Sequence, residues 1–300
     1  MIPTIRQVCR AYPLFAAAER MKTERPSETT VENTLSGVTL VYRAAGIADD
    51  APVTAFTRQA LNTALVAFLD RGISRLSALT YLQQLQALFA RWTKPYFEDS
   101  GWELPNLELP TFRAVAPRYE RPTPDLLRRL KNWYLLLTAE FDSDYAAGRR
   151  VNATASLWLA ATMMLEFAMR NSDILRLRRE NFIEHEGRIY LNYTPHKTMH
   201  SSGRVVRWPV HADLWRRIRD IAFDCDETTF EELNRAMRAL GFTGSKGAYE
   251  LRKICIDHVY QRFGAEMAVS ISGDNIKTII HYYADPSQPN IGDVRITDLL

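Results

Sequence analysis

"FAMRNSDILRLRRENF" (167–182) places an arginine, Arg170, where an apolar run ends. The run before it, "TASLWLAATMMLEFAMR" (154–170), is nearly all apolar and reads as a buried central helix. An arginine at the end of such a helix is costly unless it is paired or faces a ligand. Asp173 follows three residues later, and "SDILRLRREN" reads as a continuing helix with basic residues.

Downstream, "RIYLNYT" (188–194) and "GRVVRWPV" (203–210) have the β-branched and aromatic content of strands. Between them "PHKTMHSS" (195–202) forms the polar, basic tip of a hairpin and carries Lys197. Helices are expected from about 212 to 283, with a break at "GFTGSKGAY" (241–249). "AYELRKICIDHVYQRFG" (248–264) sets Tyr249 and Arg252 in the first turns of a helix, with Cys255 as a small core hydrophobe. "GDNIKTIIHYYADP" (273–286) brings Asp274 and the adjacent Tyr282 and Tyr283. A tyrosine pair there is either ring packing or a nucleophile with a packed neighbour.

Upstream, residues 30–47, 57–73 and 74–97 have helical periodicity, and two of these stretches stop at Gly46 and Gly72. Five prolines between 98 and 124 then prevent helix continuation. The organisation expected is a helical domain over 1–115, a linker over 116–122, and a larger domain over 123–300. The fold class is mainly α with a small antiparallel β-hairpin or sheet.

The 300 residues carry a net charge of only +3, but the charge is unevenly placed. From Arg170 to Arg219 eleven Lys/Arg stand against five Asp/Glu, a net of +6, as on a phosphate-binding face. Cys9, Cys225 and Cys255 are scattered and form no CxxC pair, which argues against disulfides or zinc and fits a reducing cytoplasm. His196 and His200 lie four apart but on a hairpin, where that spacing loses its metal-binding meaning. No glycine-rich phosphate loop and no Ser/His/Asp set appears, so no metal or cofactor is expected. Neither a membrane span nor a secretory signal is read.

The order helix arginine, hairpin lysine, helix arginine, late tyrosine resembles the catalytic domain of the tyrosine recombinases, the phage-integrase and Xer/Cre type. "AMRNSDILRLRRENF" resembles the family's "GLRxSELLxLRWxDI", with Arg170 as first arginine and Asp173 at the acidic position. "TPHKTMHSSGRVVRWPV" resembles "TKTgKxRxVPl", with Lys197 as the lysine, and "YELRK" resembles "HxLR", with Arg252 as second arginine. "NIKTIIHYYAD" resembles "sIkTTxxYah". The likeness spans roughly 123–290, and only helix number and size extend it to a core-binding (SAM-like) N-terminal domain.

The resemblance implies DNA cutting and rejoining through a 3′-phosphotyrosyl ester, without metal or ATP. Two arginine forks hold the non-bridging oxygens, the lysine protonates the departing 5′-oxygen, and the tyrosine attacks. The family's spacing from its His/Trp position selects Tyr283, and an ungapped match of "IKT" selects Tyr282. This sequence departs at two positions, with Tyr249 in place of His or Lys and Asp274 or Gly273 in place of His or Trp. A phenol is a poor base near neutral pH, and a carboxylate repels a phosphate. His258 and His281 are the substitutes considered. Further implications are a double-stranded DNA partner clamped between the domains, a homotetramer on paired sites, and a tail, "PNIGDVRITDLL" (289–300), that packs on a neighbouring protomer. Two rival readings stay open: a catalytically silent DNA-binding protein on this fold, and a helical protein-interaction module.

Overall fold

The computed structural model describes residues 1–111, 119–149, 152–198, 203–244 and 246–284. His200, Asp285, the tail from 289 and residues 116–118 of the expected linker lie outside the described residues. The chain divides into two units, Met1–Ala116 and Pro117–Leu300.

The first unit holds α1 (Ile5–Thr23), α2 (Glu28–Ala44), α3 (Arg58–Asp70), α4 (Arg75–Leu88) and α5 (Lys94–Asp99). The helix α1 was not foreseen. Its start is set by Thr4, which caps Gln7 N–H while the Gln7 side chain returns the bond, and Ile5, Val8, Tyr12 and Ala16 give it one buried stripe. The expected helix over 74–97 is instead two, because Phe89 and Ala90 leave helical geometry and a 3-10 turn, Arg91–Thr93, intervenes. A side chain at Gly37 of α2 would meet Gln84 of α4 within 2.6 Å of its Cβ, so glycine here permits the close approach of the two helices. The core gathers Val38, Val41, Leu61, Phe68, Leu82, Leu85 and Phe97.

The second unit begins with α6 (Pro124–Ala146), entered through a Thr123 cap and a proline in the first turn. Then comes α7 (Ala153–Phe167), buried on nearly every face, with Trp158 stacked on Phe141 of α6 at 4.1 Å between ring centroids. α7 ends earlier than its composition suggests. Ala168 adopts a left-handed conformation, φ 50°, and its N–H caps the Met163 carbonyl. Arg170 therefore stands beyond the apolar helix rather than on its last turn. Nor does "SDILRLRREN" continue as one helix: α8 (Asn171–Ile174) is a single turn, followed by a 3-10 turn, Arg179–Asn181.

Three antiparallel strands follow, β1 (Phe182–His185), β2 (Arg188–Tyr193) and β3 (Val206–Pro209), in the order β1-β2-β3. β1 is a strand beyond the hairpin that was read. It pairs Phe182 with Leu191, while β2 pairs Tyr193 with Val206. The sheet joins the core formed by α6, α7, α9 (Ala212–Ile218), α10 (Glu227–Leu240) and the start of α11 (Gly247–Ser272), and α12 (Ile276–Tyr283) follows. Gly264, at φ 86°, interrupts α11. A smaller cluster of Cys255, Val259, Tyr260, Ile271, Ile279 and Tyr283 ties α12 to α11. Among the described residues no helix is long and apolar enough to cross a membrane.

Candidate active site

The left-handed Ala168 turns the chain sharply, and Arg170 enters α8 in extended conformation (φ −84°, ψ 153°) with only 8% of its surface exposed. Its carbonyl accepts the Asp173 and Ile174 N–H groups at 2.9 and 3.0 Å, which holds the turn. Asp173 is buried, and its Oδ1 accepts the backbone N–H of His196 at 2.8 Å. The arginine's turn is thereby stitched to the hairpin beside Lys197, which lies exposed on the 3-10 turn His196–Thr198.

Arg252, on α11, is fully buried, at 0% exposure. Its guanidinium donates to the Ala168 carbonyl, to the Ser272 carbonyl at 3.1 Å and to Asp274 Oδ2 at 2.5 Å. Burial pulls against the charge, but the carboxylate of Asp274 and the phenol oxygen of Tyr249 outweigh it, and the Arg252 pKa is raised. The other carboxylate oxygen, Asp274 Oδ1, accepts from Arg170 Nη2. One aspartate thus bridges both arginines. Arg170 Nη1 and Arg252 Nε, both buried, have no hydrogen-bond partner among the described residues.

Asp274 is held by a tight turn between α11 and α12. Its N–H donates to Ser272 Oγ at 3.1 Å, and Gly273 before it is left-handed, φ 65°. A Cβ on Gly273 would lie 2.9 Å from Pro195 Cγ, so only glycine lets this turn meet the hairpin that carries Lys197.

On α12 the two tyrosines differ. Tyr283 is 9% exposed, with its ring edge-on to Tyr119 at 5.4 Å and tilted against Tyr260 at 6.4 Å. Burial raises its phenol pKa well above the ordinary value, with Arg252 acting in the opposite direction. Tyr282 is half-buried, packs edge-on to His281 at 5.5 Å, and its carbonyl accepts the Tyr119 N–H at 3.1 Å.

Arg170, Lys197, Tyr249, Asp274, Tyr282 and Tyr283 all line one cleft of about 690 Å³, with Arg252 buried behind Asp274. Tyr119, Arg121 and Lys253 line it too. Sequence reasoning placed the first two in the linker and gave the third no role. The only sequence signal for Arg121 is its charge, which pairs with Asp257 of α11 at 3.0 Å. His258 and His281 are exposed and do not line the cleft. Among the described residues no group of three or more His, Cys, Asp or Glu could hold a metal.

No protein-family model and no curated protein sequence matches the chain. Solved structures do. A lambda integrase dimer bound to a COC′ core site matches 93% of this chain and 96% of that one, with a TM-score of 0.57 at 15% identity. The Tn1549 transposon integrase in complex with a circular intermediate DNA matches 95% and 96%, with a TM-score of 0.56 at 11% identity. The XerH site-specific recombinase bound to a palindromic difH substrate matches 94% and 93%, with a TM-score of 0.52 at 12% identity. The chain has the tyrosine-recombinase fold. At these identities the likeness is one of fold, so the chemistry of this recombinase fold is argued from its own side chains. Those are Arg170, Arg252, Lys197, Tyr249, Tyr282 and Tyr283 around one cleft, with a carboxylate where the family resemblance led to the expectation of His or Trp.

Proposed function

We propose that this chain is a DNA strand transferase of the site-specific recombinase kind, with Tyr283 as nucleophile. The observation that carries the reading is the convergence of Arg170, Lys197, Tyr249, Asp274 and Tyr283 on one cleft, with Arg252 directly behind it. Two permanently charged guanidinium forks suit the two non-bridging oxygens of a phosphodiester and the charge that develops there during attack. The Tyr283 oxygen forms the new bond to phosphorus as the bond to the 5′-oxygen breaks. The phenol gives up its proton to solvent, and Lys197 supplies one to the departing 5′-oxygen. Tyr249 donates a hydrogen bond to a phosphate oxygen. The product is a 3′-phosphotyrosyl ester and a free 5′-hydroxyl, whose return attack rejoins the strand.

In this reading residues 1–115 form a core-binding domain and 123–300 the catalytic domain, each with its own contacts to double-stranded DNA. The active assembly is a homotetramer on paired sites, with the tail from 289 packing on a neighbouring protomer.

A nicked duplex that loses its 5′ fragment on cleavage traps the covalent adduct. Wild type is expected to form it and Tyr283→Phe to lose it. Loss in Tyr282→Phe with retention in Tyr283→Phe transfers the nucleophile to Tyr282. The second reading, a DNA-binding protein without cleavage, is favoured by the carboxylate lodged between the arginines. It predicts steeply salt-dependent duplex binding with no adduct.

A further inference from the structure

The same two guanidinium groups that the strand-transfer reading assigns to a phosphate are already bonded to an anion of this chain. Asp274 Oδ1 takes Arg170 and Oδ2 takes Arg252, one oxygen to each fork. A phosphodiester also carries one negative charge and two equivalent oxygens, so it suits this seat in the same way. Carboxylate and phosphodiester cannot both occupy it, since two like charges would then share one buried site. Arg252 has no exposed surface from which to serve a second anion elsewhere. Arg170 Nη1 and Arg252 Nε remain without hydrogen-bond partners among the described residues, so two guanidinium nitrogens are left over by the two-oxygen carboxylate.

We propose that Asp274 is a built-in counter-anion that fills the phosphate seat between Arg170 and Arg252, so that the site opens only to a phosphodiester delivered by bound duplex DNA. The inference rests on the strand-transfer reading for the identity of the substrate, but not for the latch itself. A small free anion must displace Asp274 by its own contacts alone. A duplex brings many other phosphate contacts, and that remote binding energy can drive the exchange. If the seat is free about a tenth of the time, the apparent affinity of a free anion falls about tenfold. The latch also reaches the nucleophile's helix. Asp274 immediately precedes Asn275, whose Oδ1 accepts the Lys277 N–H at 2.9 Å and caps α12. Moving the carboxylate off the arginines therefore moves the residue next to the cap of the helix that carries Tyr283.

The test compares the full chain with Asp274→Asn by thermal unfolding in sodium sulfate against sodium chloride at equal ionic strength. Wild type is expected to show a sulfate-specific rise of at most about 1 °C. Asp274→Asn, whose seat holds no counter-charge, is expected to gain about 3 °C at roughly tenfold-saturating sulfate. Should Asp274→Asn fail to fold, Asp274→Ser serves as the vacated seat. A wild-type rise equal to the variant's, or no rise in a folded variant, overturns the latch. Adduct formation on the nicked duplex is read in parallel. A sulfate response with no adduct from either protein keeps the latch and removes strand transfer, and adduct with no sulfate response does the reverse.

Discussion

Asp173 accepts the backbone N–H of His196 at 2.8 Å, so the turn that presents Arg170 and the turn that presents Lys197 are fastened by one buried carboxylate. Its second oxygen has no hydrogen-bond partner among the described residues and lies 3.8 Å from Arg170 Nη1. Asp173→Ala removes the fastening while leaving both cations in the chain. Adduct formation on an ordinary nicked duplex is expected to fall about 10- to 100-fold, the scale set by loss of positioning and proton transfer. A substrate with sulfur in place of the bridging 5′-oxygen needs no protonation of its leaving group. It is expected to restore most of the rate to Asp173→Ala and to Lys197→Ala, but not to Arg170→Ala. Equal failure on both substrates would mean that Asp173 acts on the arginine rather than on the lysine.

Arg252 supports three parts of the unit at once, through the Ala168 carbonyl, the Ser272 carbonyl and Asp274. Arg252→Lys keeps the charge but lacks the planar fork that reaches all three. The expected loss is about 2–4 kcal/mol, the cost of leaving charged hydrogen bonds unmade in a buried site. Urea unfolding checks it. A loss below about 1 kcal/mol, the net worth of one ordinary hydrogen bond, would show that a lysine ammonium satisfies the site.

The recombinase fold was legible because each of its marks is local. A nearly all-apolar helix, a basic hairpin tip and a helix opening on "YELRK" can be read within a dozen or so residues. What was not legible depends on conformation or on distant pairing. Ala168 ends α7 at a positive φ with no glycine to announce it, and this moves Arg170 off the helix. β1 is only four residues long, Phe182–His185, and its pattern has no turn signal before it. The Arg170–Asp274 pair spans 104 residues, so the sequence showed an aspartate that should repel phosphate but not the two arginines it holds. Tyr119 follows a proline-rich stretch and reads as linker, yet its backbone binds Tyr282 and its ring meets Tyr283.

That Tyr119 contact can be divided by mutation. Its hydroxyl is buried with no hydrogen-bond partner among the described residues, while its ring packs on Tyr283 at 5.4 Å and lies beneath Lys253 at 5.7 Å. Removing only the hydroxyl, in Tyr119→Phe, relieves an unsatisfied polar group and is expected to leave stability unchanged or raise it by about 1 kcal/mol. Removing the ring, in Tyr119→Ala, is expected to cost about 3 kcal/mol and to slow adduct formation, because α12 loses its edge contact. Chemical denaturation separates the two. A costly Tyr119→Phe would show that the hydroxyl has a partner after all.

Alkaline pH should unfold this protein through its buried phenols. Burial raises the pKa of Tyr119, Tyr193 and Tyr283 above the ordinary value. A phenol is neutral when protonated, so a raised folded-state pKa means that the fold favours the protonated form. The stability it contributes is complete below the unfolded pKa of about 10 and declines as pH rises beyond it, because the unfolded chain releases protons that the folded chain retains. Urea midpoints are expected to be insensitive to these groups between pH 7 and 9 and to drop above about pH 10. The drop should be shallower in Tyr119→Phe and Tyr193→Phe, and an identical drop in those variants would place the titrating groups elsewhere. For Tyr283 the same burial bears on chemistry. In the proposed strand transfer, attack on phosphorus needs the cost of the Tyr283 phenolate lowered. Arg252, which opposes the rise of the Tyr283 pKa, is the charge placed to do that once Asp274 no longer holds it.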